Sequence, residues 1–469
     1  MELKNKRILV VGMGRSGLAA ARFLRLRGAQ VTISDARSAA ALANEIPALV
    51  EAGIMVEAGG HGLLTFRRQD LIVVSPGVPL DTPELVQSRA FGLPIIGELE
   101  LAAHFLRGSI LAITGSNGKT TTTTLVGEIL AASGVPTHVG GNIGVPVVEL
   151  IDVATPQSWS VLEVSSFQLE TVLHFHPQIA VILNITPDHL DRHGTFENYA
   201  LAKERIFHAQ TVEDSLILNA ENPRAAACAE RASSTIWWFS LIRPVARGAW
   251  VADERIHFRT APDTPIETVL PVAEIPLKGA HNVENVLAAV CAARLAGVPA
   301  AIIAQVVRGF RAVEHRIEFV ARHNGVEYYN DSKATNVDAA AKAIAAFPAG
   351  VHLILGGKDK NSTYSDLEPL LRERVRAVYT IGAAAAKIES QLRGILPLHS
   401  CETLPNAVAA ASAAALPGEI VLLSPACSSF DQFTNYEERG RLFKRTVHQL
   451  TSLAAIGNAT SGALAETVR

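Results

Sequence analysis

An α/β protein of about three domains is the fold that the sequence predicts, and three observations predict it. The chain has 469 residues, too many for a single hydrophobic core, and division into about three units is the natural expectation at that length. Short β-branched runs of strand length alternate with Ala/Leu-rich stretches of helix length along the whole chain. Several of those runs end in turns of glycine, serine and proline, the place where open parallel sheets hold their ligands.

Composition narrows the class. Hydrophobic residues make up 48% and charged residues 19% of the chain, which is the balance of a globular protein. A formal net charge of −3 gives no general attraction to nucleic acid or to an acidic membrane surface, so neither is an expected partner. Anionic ligands must then be held by local loops. Cys228, Cys291, Cys401 and Cys427 are far apart and form no C-x-x-C pair, which argues against a disulfide framework or a zinc site and for a reducing compartment. The basic start, Met1 to Arg7, is followed by only a strand's length of apolar residues before Gly12. No signal peptide or membrane-spanning window is read, and a cytoplasmic location is expected.

The first domain is expected over residues 1–97. Arg7 to Val11 is a strand, Gly12-Met-Gly14-Arg15-Ser16-Gly17 a turn, and an Ala/Leu-rich helix follows to about Arg27. Gly28 ends it, and Gln30 to Ser34 is the next strand, with Asp35 at its end. This is a G-x-G-x-x-G unit with an acidic residue about 20 positions on, which at face value predicts NAD. The same turn suits any diphosphate at a helix N-terminus, Asp35 suits any sugar hydroxyl, and a purely structural turn is a third reading. Asp70 to Ser75 is a buried strand ending in Pro76-Gly77-Val78-Pro79, so Ser75 and Gly77 are candidates for phosphate contacts or for a plain turn. Ile95 to Gly97 closes the domain, and Glu98 to Leu106 is a linking helix.

The second domain is expected over residues 98–312. A strand, Ile110 to Ile113, enters Thr114-Gly115-Ser116-Asn117-Gly118-Lys119-Thr120-Thr121, and Thr122 to Leu130 starts a helix. Glycines let backbone N–H groups approach phosphate oxygens, the lysine adds a point charge, and a hydroxyl can ligate Mg²⁺. The usual motif has a glycine where Ile113 stands, so only a shorter version is present. Glu163 lies inside the apolar strand Ser160 to Ser165, where a charge costs several kcal/mol unless paired or metal-bound. With a Lys-Thr loop upstream, Mg²⁺ is favoured over a satisfied core glutamate. The strand Ile179 to Ile185 ends in Thr186 to His193, a stretch with two His and two Asp at a strand's C-terminal edge, which favours contact with metal or phosphate. Lys203, on a helix expected over Tyr199 to His208, is by default a solvated lysine. Trp237 to Phe239 reads as core and Trp250 to Arg259 as a hairpin strand. Asn282, opening a helix that ends near Gly297, is either a cap or a ligand contact.

The third domain is expected over residues 313–469. Strands at Gly325 to Tyr329, Val351 to Leu355 and Glu419 to Leu423 lead into loops Asn330 to Asn336, Gly356 to Lys360 and Ser424 to Gln432. Val378 to Ile381 is a further strand. The three loops should gather at one sheet edge, and their lysines and hydroxyls suit a small dicarboxylate or phosphate. Cys427 has no assignable His base, so a small buried thiol is favoured over a nucleophile. The tail after about residue 453 is expected to be loose.

In this order the loops resemble the Mur ligase family. The resemblance is carried by Thr114 to Thr120, Gly141 to Gly144, Glu163 to Gln168, Asn184 to His193, His281-Asn282, His315-Arg316, Asn330 to Asn336 and Ser424 to Cys427. It covers nearly the whole chain except the tail and residues 241–270, and the last two loops are similar to the D-glutamate-adding branch. The short phosphate loop is the family's own version. The resemblance implies a Rossmann-like N-terminal domain that holds a UDP-sugar rather than NAD through Gly14, Arg15, Ser16, Asp35, Arg37, Ser75 and Gly77, with Asn142 contacting the same substrate. It implies a central P-loop-type ATPase domain in which Gly115, Ser116, Asn117, Gly118, Lys119, Thr120 and Thr121 surround the phosphates of ATP, with further contacts from Asn282, Arg316 and Asp331. It implies a Rossmann-like C-terminal α/β domain whose Lys333, Thr335, Lys360, Ser429, Phe430 and Tyr436 hold D-glutamate, with Lys358 as the alternative to Lys360. Two Mg²⁺ ions are implied, on Thr120 and Glu163 and on His189 and Lys203, the latter as a carbamate; Lys119, His189 and Lys203 are the implied catalytic residues. The implied reaction joins D-glutamate to UDP-N-acetylmuramoyl-L-alanine through an acyl phosphate, in peptidoglycan precursor synthesis, on a monomeric enzyme.

Overall fold

The computed structural model describes residues 1–311 and 314–465, with side chains described to residue 450. The expected boundary at 312/313 lies outside the described residues. The last helix is Tyr436–Ala465, so the side chains of the expected loose tail, and residues 466–469 entirely, lie outside them too.

The first sheet is five-stranded and parallel: β1 (Arg7–Val11), β2 (Gln30–Asp35), β3 (Met55–Ala58), β4 (Leu71–Val74) and β5 (Ile95–Gly97), in the order β3-β2-β1-β4-β5. The β1 and β4 sequences are aliphatic because both faces of an inner parallel strand are covered. Strand order reverses between β1 and β4. The turns that follow them, Gly12 to Gly17 and Ser75 to Val78, therefore flank a crevice at the strands' C-terminal ends.

The second sheet has nine strands: β6 (Ser109–Thr114), β7 (Thr137–Gly141), β8 (Trp159–Glu163), β9 (Ile179–Ile182), β10 (Ser215–Asn219), β11 (Thr235–Ser240), β12 (Gly248–Ala252), β13 (Arg255–Arg259) and β14 (Glu267–Pro271). Their order is β14-β13-β12-β11-β10-β9-β6-β8-β7, so β6 lies between β8 and β9 and the turns after these three strands are neighbours. The run expected as one strand from Trp250 to Arg259 is divided between β12 and β13. Asp253 (φ 48°) and Glu254 (φ 56°) form the two-residue left-handed turn of a hairpin. No glycine marks that turn, which hides it in the sequence.

The third sheet comprises β15 (Glu318–His323), β16 (Val326–Asn330), β17 (Val351–Gly356), β18 (Val375–Ile381), β19 (Leu398–Glu402) and β20 (Ile420–Leu423), in the order β15-β16-β20-β17-β18-β19. It is parallel apart from β15. Leu353 and Leu355 pack into the core on one face and Ile354 into the core on the other. That alternation is why the strand is hydrophobic at every position. With β16, β20 and β17 side by side, the three loops after them share one edge.

The chain forms two compact units. One consists of Met1–Pro187, Arg192–Ile275 and Val283–Gly309 and carries the first two sheets; the other consists of Asp188–Asp191, Pro276–Asn282 and Phe310–Arg469 and carries the third. In the first unit a continuous core runs from Ile8 and Leu24 through Leu101 to Leu162 and Ile182. Among the described residues no helix is long and apolar enough to cross a membrane.

Gly17 tests the packing of the first crevice. A Cβ there would lie 1.9 Å from the Gly12 carbonyl oxygen and 2.4 Å from Ser75 Oγ, which itself donates to Gly12 O at 3.0 Å. Gly17→Ala is expected to destabilise the first unit by about 1–3 kcal/mol, the usual cost of overpacking, and to lower the melting temperature. An unchanged melting temperature would show that the turn can give way.

Candidate active site

The phosphate loop is built by β6 and the helix Lys119–Ala132. Gly118 has φ +87°, and a Cβ on it would lie 2.2 Å from Asn285 Oδ1, so only glycine fits. The loop is braced from the chain that leaves β9. Ser116 N–H donates to Asn184 O (2.9 Å), Asn117 N–H donates to Asn184 Oδ1 (2.9 Å), and Asn184 Nδ2 donates to Asn117 O (3.1 Å). Ser116 Oγ accepts from Thr186 N–H at 2.9 Å. Asn184 lies inside a motif read from the sequence, yet its bracing role depends on contacts some 67 residues away and leaves no local signal.

Two lysines converge on one carbonyl. Lys119 Nζ donates to Gly115 O (2.8 Å) and Ser116 O (3.0 Å). Lys203 Nζ donates to the same Gly115 O (2.8 Å) and lies 3.4 Å from Thr114 Oγ1 and 4.7 Å from the centre of the Tyr199 ring. Lys203 is only 1% exposed, which corrects the default reading of a solvated helix lysine. The helix Phe196–Glu204 turns Tyr199, Ala200 and Lys203 inward. Two ammonium groups on one oxygen repel each other, and negative charge placed between them relieves that repulsion. Thr120 and Thr121 are buried in the helix's first turn.

Glu163 ends β8 in register with Ile113 of β6 and is 1% exposed. Its Oε1 accepts from Asn142 Nδ2 at 2.7 Å and its carbonyl accepts from Asn142 N–H at 2.9 Å, while Oε2 is buried with no hydrogen-bond partner. An orphaned carboxylate oxygen on the strand beside the phosphate loop is a hard donor suited to Mg²⁺. Of the expected metal ligands, Thr120, Glu163 and Lys203 belong to the first unit, while His189 (φ 53°), whose Nε2 is 3.7 Å from Asp188 Oδ2, belongs to the second. His193 is a structural residue. It is buried, stacks on Phe167 at 5.5 Å and reaches Ser166 Oγ (3.0 Å) and Glu170 Oε1 (3.3 Å).

The crevice after β1 and β4 is a cavity of about 670 Å³, lined by Gly14, Arg15, Ser16, Asp35, Arg37, Ser75, Gly77 and Asn142 among others. All eight residues expected to touch a sugar-nucleotide therefore share one space. Arg15 also bonds the Gly144 carbonyl. The Asp35 carboxylate accepts from Met13 N–H (2.7 Å), Arg37 N–H (2.9 Å) and the Arg37 guanidinium (2.9 and 3.0 Å). Burial pushes its pKa up, but these bonds outweigh burial and hold it at about 2. Both oxygens are thus engaged within the protein, so Asp35 anchors the glycine turn and Arg37 rather than offering itself to a ribose. His61 and Thr82 also line the cavity, from stretches that carry no motif, and Gln168 lines it from the short helix Ser166–Leu169, at the end of the Glu163 to Gln168 motif.

In the second unit the three strand-end loops are tied together. Ser424 Oγ donates to Asp331 Oδ2 (2.9 Å), and Lys358 and Ser428 exchange backbone bonds of 2.8 and 3.2 Å. Burial pushes Asp331 up to about 7, with Ser424 and Arg316 pulling against it. Lys333 Nζ sits 3.8 Å from the centre of the Tyr436 ring. Lys360 Nζ is 3.4 Å from Asp188 Oδ1, while Asn336 Nδ2 donates to Asp188 Oδ2 at 2.9 Å. Thr335 N–H closes a turn onto Lys333 O (2.8 Å), Ser429 is buried, and Phe430 is 66% exposed. Asn282, Arg316 and Asp331 are all in this unit, and Asn282 Nδ2 donates to Lys278 O at 2.7 Å. The sequence reading missed Arg439. It is fully buried and donates to Ser332 Oγ (3.0 Å), Ser332 O (2.8 Å) and Cys427 O (3.1 and 3.2 Å), clamping the first and third loops. Glu314, His315 and Glu318 could converge on a cation, but Lys444 Nζ already stands 3.0 Å from Glu314 and 2.6 Å from Glu318.

Comparison with known proteins agrees along the chain. Residues 6–97 match the Mur ligase MurD-like N-terminal domain, residues 113–293 the Mur ligase middle domain, and residues 315–427 the Mur ligase glutamate ligase domain. A protein of Acidobacterium capsulatum named UDP-N-acetylmuramoylalanine--D-glutamate ligase is 67% identical, covering 98% of this chain and 100% of the relative. A protein of the same name from Koribacter versatilis is 57% identical, covering 96% and 99%. Among solved structures, MurF from Thermotoga maritima in complex with ADP has a TM-score of 0.59 at 15% identity, covering 96% of each chain. MurC from the same organism has a TM-score of 0.58 at 18% identity, covering 95% of this chain and 100% of the other. At those identities the structures speak for the fold.

Proposed function

The chain belongs to the Mur ligase family, and from that premise we propose that it joins D-glutamate to UDP-N-acetylmuramoyl-L-alanine at the expense of ATP. The observation that carries the chemistry is the meeting of Lys119 and Lys203 at Gly115 O, just past the end of the strand that pairs with the one bearing the orphaned Glu163 oxygen.

The UDP-sugar occupies the first-unit cavity. Arg15, Arg37 and the turn amides of Gly14 and Ser16 face its diphosphate, and Asp35 fixes Arg37 in place. ATP lays its phosphates along Gly115 to Thr121, where Lys119 exchanges its loop carbonyls for phosphate oxygens. An L-alanyl carboxylate oxygen attacks the γ-phosphorus, the bond to ADP breaks, and an acyl phosphate forms. Both reactants are anionic, so cationic side chains are needed to offset their repulsion. Mg²⁺ on Thr120 and Glu163, and a second ion on His189 and a Lys203 carbamate, would supply the remaining positive charge. Addition of CO₂ to Lys203 would replace one of the two cations at Gly115 by an oxygen donor. Lys333, Thr335, Lys360 and Ser429 hold the D-glutamate carboxylates, with Phe430 and Tyr436 beside them. Its amine attacks the acyl carbon, the bond to phosphate breaks, and the amine gives up a proton as the amide forms. Asn282, Arg316 and Asp331 provide further contacts to the nucleotide. Nucleotide-linked substrates place the reaction in the cytoplasm.

Phosphate release from ATP, measured with UDP-N-acetylmuramoyl-L-alanine and a panel of amino acids, tests the assignment. Release is expected with D-glutamate and not with L-glutamate, L-lysine or diaminopimelate. Release that ignores the amino acid would overturn it.

A further inference from the structure

Cys427 stands in the middle of the third loop of the amino-acid pocket, and the reaction as described gives it no work. Its surroundings do. The thiol is 1% exposed, and its Sγ lies 2.9 Å from the hydroxyl of Tyr364, a side chain with no exposure at all. The same hydroxyl lies 2.8 Å from Asp359 Oδ1, and Asp359 Oδ2 accepts from Lys387 Nζ at 2.7 Å. Asp359 further accepts the N–H groups of Asn361 and Ser362, both at 3.2 Å.

The direction of these bonds is fixed by what each group can do. The Asp359 carboxylate beside Lys387 is ionised and only accepts, so Tyr364 must donate to it. The tyrosine oxygen then has only lone pairs left for Cys427, which must be the donor. The order is Cys427 S–H to Tyr364 O–H to Asp359 carboxylate, with Lys387 closing the far end. Burial pushes the Cys427 thiol up to about 11, so it holds the proton this order requires. The chain joins two of the three pocket loops. Asp359 immediately precedes Lys360, and Cys427 lies two residues before Ser429, next to the Lys358–Ser428 backbone pairing.

We propose that Tyr364 is a positioning residue for the amino-acid pocket, its hydroxyl pinning the Lys360 loop to the Ser429 loop through Asp359 and Cys427. The inference rests on the assignment of that pocket to D-glutamate. It gives the small buried thiol that the sequence favours over a nucleophile a role as a hydrogen-bond donor.

Tyr364→Phe keeps the ring and removes only the pin. Removing the buried hydroxyl strands the Cys427 S–H and takes one donor from Asp359, which predicts a rise of about tenfold in KM for D-glutamate with little change in KM for ATP or the UDP-sugar. Equal rises for all three substrates, or no rise, would overturn the proposal. Cys427→Ser, whose hydroxyl still donates to Tyr364, should behave closer to the natural enzyme than Cys427→Ala. Iodoacetamide labelling read by peptide mass spectrometry provides an arm independent of turnover, because Cys228, Cys291, Cys401 and Cys427 are all buried. In Tyr364→Phe the labelling of Cys427 alone should accelerate several-fold. Unchanged labelling, or all four cysteines accelerating together, would overturn the pin. Natural enzyme that releases phosphate without regard to D-glutamate would instead remove the assignment of the pocket, and the labelling would still decide whether the pin exists.

Discussion

Lys119→Ala is expected to lower phosphate release by roughly 10³-fold, the upper range for removing one preorganised charge donor from a developing anion. The side chain donates to carbonyls of its own loop, at 2.8 and 3.0 Å. Each such bond is worth about 1 kcal/mol net, and losing the ammonium also relieves repulsion with Lys203. Stability should therefore change little while catalysis collapses. Steady-state release with both acceptors and a melting curve on the same preparation separate the two effects. A nearly normal kcat would end the argument for this loop as the seat of phosphoryl transfer.

Lys203→Ala carries the second large effect, a loss of roughly 10²-fold or more in kcat on the same reasoning. Its importance is that it separates two roles. If Lys203 acts as a cation, Lys203→Arg should retain activity. If it acts as a carbamate, Lys203→Arg should be as poor as alanine, and a short carboxylate such as acetate should partly restore Lys203→Ala by occupying the vacated space. Full activity of Lys203→Ala would remove the residue from the mechanism altogether.

Inner strands were the legible part of the fold. β1, β4, β6, β9, β17 and β20 are covered on both faces, and that burial writes uninterrupted aliphatic runs into the sequence. The strands left unread, β3, β7, β14, β15 and β19, lie at sheet edges, where half-exposure admits residues such as Glu57, His138, Glu267, Arg322 and His399. β10 is the exception, an interior strand whose Leu216-Ile217-Leu218 run is short and framed by Ser215 and Asn219. The site divides in the same way. Groups on turns directly after strands, such as Lys119 and Ser75, announce themselves through glycines and local spacing, whereas Arg37 was reached only through the family resemblance. Asn184, Tyr364 and Arg439 act by gripping chain that is distant in sequence, and such a grip has no periodicity or motif. Burial of Lys203 was hidden for a related reason. A helix turned inward by one tyrosine and two alanines looks, residue by residue, like a surface helix.

The Asn184 brace has a thermodynamic consequence. Both faces of the Asn184 amide and its backbone carbonyl hold Ser116 and Asn117 in place. The loop's conformational entropy has thus been surrendered during folding, and an arriving phosphate does not have to order it. Nucleotide binding should accordingly show a small entropic penalty from the protein and a heat signal dominated by the exchange of Lys119 from carbonyl to phosphate. An amide-for-apolar change at Asn184 would shift that ordering cost from folding to binding, weakening the nucleotide without removing any atom that touches it.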